Sequence, residues 1–245
     1  MSLMMRVSMV AALGLGLSAA PQALPVCRAT SAPQQVQLVE LYTSEGCNSC
    51  PPADRWLSSL AQRPDVLAVA FHVDYWNRLG WVDRFASPLY TARQTSQVAG
   101  SGAGFAYTPQ VLVNGRDWRG WPRLPGVDAR ALVNITLMRE LDGAVRVSVR
   151  SDPGSPPGLA LWWAQLEDGH VSQVLAGENK GAQLRHDRVV RQYGQAKAWR
   201  SPPGAVHEVR VALTYERDSR HAARFVVVVV DASTGAPLQA TQLDC

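Results

Sequence analysis

The chain has 245 residues, 47% of them hydrophobic and 18% charged, enough apolar side chain for one large packed domain or two small ones. Its formal charge of +4 comes almost wholly from arginine, since Lys180 and Lys197 are the only lysines. Arg84, Arg93, Arg116, Arg119, Arg123, Arg185, Arg188 and Arg191 are scattered, with no basic run interleaved with aromatics, so nucleic acid is not an expected partner.

Arg6 is the single charge before an apolar stretch from Val7 to Ala20, followed by Pro21. A positive start, a short apolar segment and then small residues make a secretory signal peptide over residues 1–29. Cleavage after Ala20 would leave Pro21 at the new terminus, which is unfavourable; Ala23 and Ala29 are the other candidates. An uncleaved anchor is a second reading, but the stretch is short for a bilayer. Val26 before Cys27 argues against lipid attachment at that cysteine. No later segment is long and apolar enough to span, and Phe225 to Val230 has the length of a strand. The expectation is a periplasmic or secreted protein with no stable membrane insertion after cleavage.

Residues 30–35 form a short linker, and Val36 to Tyr42 a strand apolar enough for burial on both faces. Thr43 to Gly46 turn the chain. From Cys47 to about Gln62, Ala53, Trp56, Leu57 and Leu60 make one helical stripe, with Pro51 and Pro52 tolerated in the first turn. Val66 to Val73 is a second buried strand. The 74–104 stretch holds a helix from Asp83 to about Val98, interrupted near Pro88, and then Gly100, Gly102 and Gly104. Thr108-Pro109 leads into a strand from Gln110 to Asn114; Asn114-Gly115 is a hairpin signal, with Arg116 to Trp121 returning. Val127 to Leu141 has the pattern of a final amphipathic helix.

The texture changes after Asp142-Gly143. Strand-like runs follow at Ala144–Arg150, Leu159–Glu167, Val206–Tyr215 and Arg224–Asp231, separated by Pro/Gly turns. The expected architecture is an α/β domain over 36–141 followed by a smaller mainly-β, sandwich-like domain over 142–245.

Cys47-Asn48-Ser49-Cys50 opens a helix directly after a buried strand. The field at a helix start favours thiolate, and the thiolate is the nucleophile of disulfide exchange. Cys47 is the expected exposed attacking residue and Cys50 the more buried resolving one. Three other readings stand beside redox activity. Zinc would need further ligands at short spacing, and His72, His170, His186, His207 and His221 form no such pair. Cu(I) suits a soft exposed thiol pair. A static disulfide is the third, and export permits it. Cys27 and Cys245, near the two chain ends, could also pair; counting alone leaves that open. No cofactor or resident metal is expected.

In the thioredoxin architecture a cis proline at the position of Pro109 faces the cysteine pair, and Thr108 before it would offer backbone hydrogen bonds to a substrate segment. The stretch Leu38 to Asp54, LVELYTSEGCNSCPPAD, resembles the signature of a bacterial family catalogued as a domain of unknown function, number 1223, and GENKGAQLRHDRVVR, Gly177 to Arg191, resembles a recurring segment of it. The resemblance covers nearly the whole mature chain. It implies a thioredoxin-like α/β domain, export and thiol chemistry, without an established reaction. Glu40 resembles the buried acid that relays protons to the resolving thiol in thioredoxins, with a surface glutamate as the competing reading. Gly46 stands where thioredoxins carry tryptophan.

The 74–104 stretch could form a lid or groove over the thiols, lined by Asp74, Tyr75, Trp76 and Trp81, with simple packing of the aromatics as the other reading. Asn179, His186 and Asp187 could form a polar site or simply build turns and an interface, and Arg185, Arg188 and Arg191 are expected at the surface. Two functions follow. One is an exported thiol–disulfide oxidoreductase acting on protein thiols or disulfides with an unknown redox partner. The other is a non-enzymatic exported binding module that captures copper or stays oxidised.

Overall fold

The computed structural model describes residues 27–126, 129–216 and 218–245. The expected signal segment lies outside them up to residue 26. The elements in chain order are β1 (Arg28–Thr30), β2 (Gln37–Thr43), α1 (Pro51–Leu60), β3 (Val66–His72), a 3-10 turn (Asn77–Leu79), α2 (Pro88–Ser101), β4 (Gln110–Val113) and β5 (Arg116–Asp117). Then follow β6 (Val133–Arg139), β7 (Val145–Ser151), β8 (Gly158–Glu167), β9 (His170–Gln173), β10 (Gln183–His186), β11 (Val189–Arg200), β12 (Val206–Val211), β13 (Ala223–Asp231) and β14 (Pro237–Leu243).

The strands form an eight-stranded sheet of order β14-β13-β8-β11-β3-β2-β4-β5, a four-stranded sheet of order β1-β6-β7-β12, and the β9–β10 hairpin. Among the described residues only β2–β3 and β3–β11 pair in parallel. The large sheet is covered on both faces. On one face α1 packs Ala53, Leu57 and Leu60 over Val39, Leu41, Ala68 and Val111. Further along that face the four-stranded sheet lays Val133, Ile135, Leu137, Val147 and Val149 on Leu161, Phe225 and Val227. The opposite face carries Tyr42, Phe71, Leu112, Trp162 and Val228 and is covered by α2 through Tyr90.

This overturns the expected thioredoxin-like α/β domain followed by a separate mainly-β domain. The chain is mostly β, with only two α-helices among the described residues. The edge of β3, which that arrangement leaves free, is taken by β11, so strands from both halves share one sheet. The helix expected over Val127–Leu141 is instead strand β6; Val127 and Asp128 lie outside the described residues. Val133, Ile135 and Leu137 are buried in strict alternation with Asn134 and Thr136, a period of two that packs one face of a sheet. Asp142-Gly143, where the texture changes, is the turn joining β6 to β7: Gly143 has φ 83°, and Glu140 N donates to Ala144 O at 2.8 Å.

Smaller differences have local causes. The first helix starts at Pro51, with Cys50 as its cap, because Cys47–Cys50 turns before it. The second starts at Pro88, where the Ser87 side chain accepts a hydrogen bond from Leu89 N. The Asn114-Gly115 turn is as expected, with φ 48° and 77°, but the returning strand is only β5. After it the chain leaves the sheet to lie on α1, where Trp56 Nε1 donates to Pro122 O at 2.8 Å.

Candidate functional site

The end of β2 delivers Ser44 to Cys50 into a tight turn. Cys47 N donates to Ser44 O, Cys50 N to Cys47 O, and Ala53 N and Asp54 N both to Cys50 O. Cys47 and Cys50 are joined by a disulfide, as are Cys27 and Cys245. Pro51 and Pro52 remove two amide donors from the helix start. The amides of Ala53 and Asp54 go to Cys50 O, so this helix start leaves few free N–H groups to stabilise a thiolate.

Both Cys47 and Cys50 have 0% exposure, whereas Asn48 and Ser49 between them are exposed. The expectation of an exposed Cys47 is thus corrected. A segment from far along the chain closes on this turn. Between β9 and β10, the segment 174–182 closes on itself through Gly181 N to Val174 O and Ala182 N to Asn179 O, with Gly177 and Gly181 at positive φ. At its tip Asn179 Nδ2 donates to Glu45 O and to Cys47 O, each at 2.9 Å, and Glu178 Oε2 accepts from Asn48 N at 3.2 Å. Segment 174–182 is latched onto the cysteine turn.

Behind the turn lies a cluster of buried ionisable groups: Glu45, Asp54, His72, Asp83 and His186. Asp83 accepts from Glu45 N at 2.9 Å and meets His72 Nδ1 at 2.7 Å; its other oxygen accepts from Phe85 N. Glu45 accepts from Trp81 Nε1 at 2.7 Å and stands 3.4 Å from His186 Nε2. The His72 and His186 rings are 4.9 Å apart. Burial opposes charge on Asp83, yet His72 and two backbone amides outweigh it and hold the carboxyl below its usual range. Burial likewise works against a charged His72, but Asp83 outweighs it and raises the imidazole. Glu45 is pushed up by burial and pulled further down by His186, Ser172 and Trp81.

The other predicted residues divide. Thr108-Pro109 is a cis peptide at the head of β4, and Tyr42 of β2 pairs with Gln110. Trp76 links it to the cysteines: Trp76 Nε1 donates to Thr108 Oγ1 at 2.7 Å, and a Cβ on Gly46 would lie 2.9 Å from Trp76 Cβ. Gly46 therefore leaves room for a tryptophan that arrives from the loop after β3. Of the lid candidates, Trp76 and Trp81 reach the site, whereas Asp74 turns to Thr91 Oγ1 at 2.6 Å.

Glu40 does not reach it. It alternates with Val39 and Leu41, which pack under α1, and so points to the opposite face, where it meets Arg93 Nη2 at 2.5 Å. Arg93 also bonds Tyr42 Oη and lies 4.5 Å from the Phe71 ring centroid. Asn179 comes to the cysteine turn and His186 to Glu45 behind it, but Asp187 accepts from Gly169 N instead. Arg188 is buried rather than exposed, bonding Ala61 O and standing 3.9 Å from Asp168.

Sequence reasoning assigned no role to Glu45, Asp54 or Asp83. A signal was available. Glu45 and Asp54 flank the cysteines within the motif, and His72 interrupts an otherwise apolar strand.

Among solved structures, Protein AGR_C_4864 from Agrobacterium tumefaciens superposes with a TM-score of 0.63 at 25% identity, over 86% of this chain and 96% of that one. HBP35 of Porphyromonas gingivalis superposes with a TM-score of 0.64 at 13% identity, over 87% of this chain and 76% of that one, a likeness of fold alone. No curated protein matches. The model of the family described as protein of unknown function DUF1223 matches residues 38–231, and the chain belongs to that family.

Proposed function

We propose that the protein is an exported thiol–disulfide oxidoreductase in which Cys47 and Cys50 exchange electrons with protein thiols or disulfides, Cys47 taking the incoming sulfur and Cys50 resolving. The observation that carries this reading is the cluster of Glu45, Asp54, His72, Asp83 and His186 behind the disulfide. Burying ionisable groups costs several kcal/mol each, by order of magnitude, unless they are well paired. A disulfide that only staples a turn needs none of them, whereas one that opens and closes must gain and lose a proton at each turnover. Thr108 and Pro109, linked to the turn by Trp76, would present a substrate backbone beside it. The two disulfides accord with export.

One observation favours a second reading, a permanently oxidised structural disulfide: neither cysteine is exposed. Under the first reading segment 174–182 must lift for a substrate sulfur to enter. Insulin reduction driven by dithiothreitol, wild type against Cys47→Ser, separates the two. Loss of the accelerated reduction in the variant supports the oxidoreductase; equal rates remove it.

A further inference from the structure

We propose that Asp54 is the group that exchanges a proton with the Cys50 thiol, with the cleft between α1 and β10 as its route to water. The inference rests on the redox reading above and adds a residue to it.

Cys50 caps α1 in a helical backbone conformation and Asp54 lies one turn after it, which sets the two residues on one side of the helix start, and the Asp54 amide bonds the Cys50 carbonyl at 3.1 Å. It is 7% exposed, and it lines a cleft with Pro51, Arg55, Gln183, Leu184 and Arg185. Asp54 is thus the member of the buried cluster that also lines this cleft. The charged groups around it come from every packed element: Glu45 after β2, His72 on β3, Asp83 in the following loop, Arg185 and His186 on β10, and Arg55 on α1 itself. Burial holds the Asp54 carboxyl above its ordinary range, and the positive charge of His186 and His72 works against that rise. A raised acid can give up a proton where an ordinary aspartate has already lost it.

The step balances as follows. A thiolate of a reducing dithiol attacks Cys47 Sγ. The Cys47–Cys50 bond breaks and its electron pair leaves on Cys50 Sγ, which takes the proton of Asp54. The second thiolate of the dithiol attacks its own partner sulfur in the mixed disulfide and expels Cys47 Sγ. The dithiol leaves as a disulfide and the cysteine pair is reduced. In the oxidising direction the Asp54 carboxylate takes the proton from Cys50, which then attacks as thiolate.

The test uses the full chain with dithiothreitol, following the Cys47–Cys50 bond by alkylation and peptide mass from about pH 5 to about pH 9, with rates divided by the reductant's thiolate concentration. In the wild type this normalised rate should fall as pH rises and Asp54 loses its proton. Asp54→Asn should lie about tenfold or more lower at the acid end and show no fall, and Asp54→Glu should restore it. His186→Gln, which takes away an interaction that lowers the Asp54 carboxyl, should move the fall to higher pH and carries the test if Asp54→Asn does not fold. A wild-type slope in Asp54→Asn, or an unmoved fall in His186→Gln, overturns the role of Asp54 alone. A wild-type bond that dithiothreitol cannot open in the folded protein overturns the redox reading beneath it.

Discussion

Asn179 holds the carbonyl of Cys47 at 2.9 Å from a position 132 residues further along the chain. The same amide nitrogen also takes the Glu45 carbonyl, so one side chain pins both ends of the stretch that leads into the disulfide. Asn179→Ala removes both contacts. At about 0.5–1.5 kcal/mol per hydrogen bond, the cover should open about tenfold more often. Reduction by dithiothreitol should accelerate by that factor, read as the rate at which Cys47 becomes available to iodoacetamide. An unchanged rate would mean that 174–182 does not gate the sulfurs.

Glu40 and Arg93 form an ion pair on the face turned away from α1, with side chains 2% and 3% exposed. Breaking one partner of such a pair costs about 3–5 kcal/mol. Glu40→Gln should therefore lower the urea midpoint sharply. It should leave the pH profile of Cys47–Cys50 reduction unaltered, which separates a structural acid from a proton relay.

His72 and Asp83 should make stability depend on pH in both directions. The folded state raises His72 above 6.5, so its contribution is complete below that value and is lost as pH climbs through the folded pKa. Asp83 is held below 3.8, so its contribution is present above that value and is lost as pH falls through its lower folded pKa. The stability lost in Asp83→Asn should therefore be greatest in the window between these two values and shrink on the alkaline side. Thermal unfolding of both proteins across that range checks it.

The Cys27–Cys245 bond spans 218 residues, and Arg139 ties both ends, its amide to Cys27 O and its Nε to Cys245 O. Closing a loop of that length is worth about 5 kcal/mol in chain entropy. The Cys27→Ser/Cys245→Ser double variant should lose a comparable amount, measured by chemical unfolding. Under the proposed export, cleavage after Ala29 would discard Cys27 and most of β1, so a cut ahead of Cys27 is expected, which intact mass will report.

The N-terminal elements were legible because their signals are local. Two apolar runs, one amphipathic stripe and an Asn-Gly turn mark β2, β3, α1 and the β4–β5 hairpin. Strands β7, β8 and β13 were legible for the same reason. The sheet they join was not. Strand β11 carries Arg191, Gln192, Gln195, Lys197 and Arg200, too polar to announce itself, and β14 is nearly as polar. Without β11 nothing in the sequence says that the two halves share a sheet. The site divides in the same way. The cysteines and Thr108-Pro109 were visible as motifs, but the latch and the acid cluster arise from contacts between distant segments, and no spacing rule reaches across 130 residues. Glu40 was misplaced because a strand inverts sides with every residue, and a one-position shift exchanges one core for another.

The junction between β3 and β11 is narrow. It rests on the Val189–Ala70 pairing and the bond from Ala70 N to Arg188 O at 2.9 Å, while β11 and β8 run together over most of their length. The β9–β10 hairpin ends immediately before this seam. The amide of Ala70 is thus a natural reporter in hydrogen exchange of whether this seam breathes next to the hairpin that latches onto the cysteine turn.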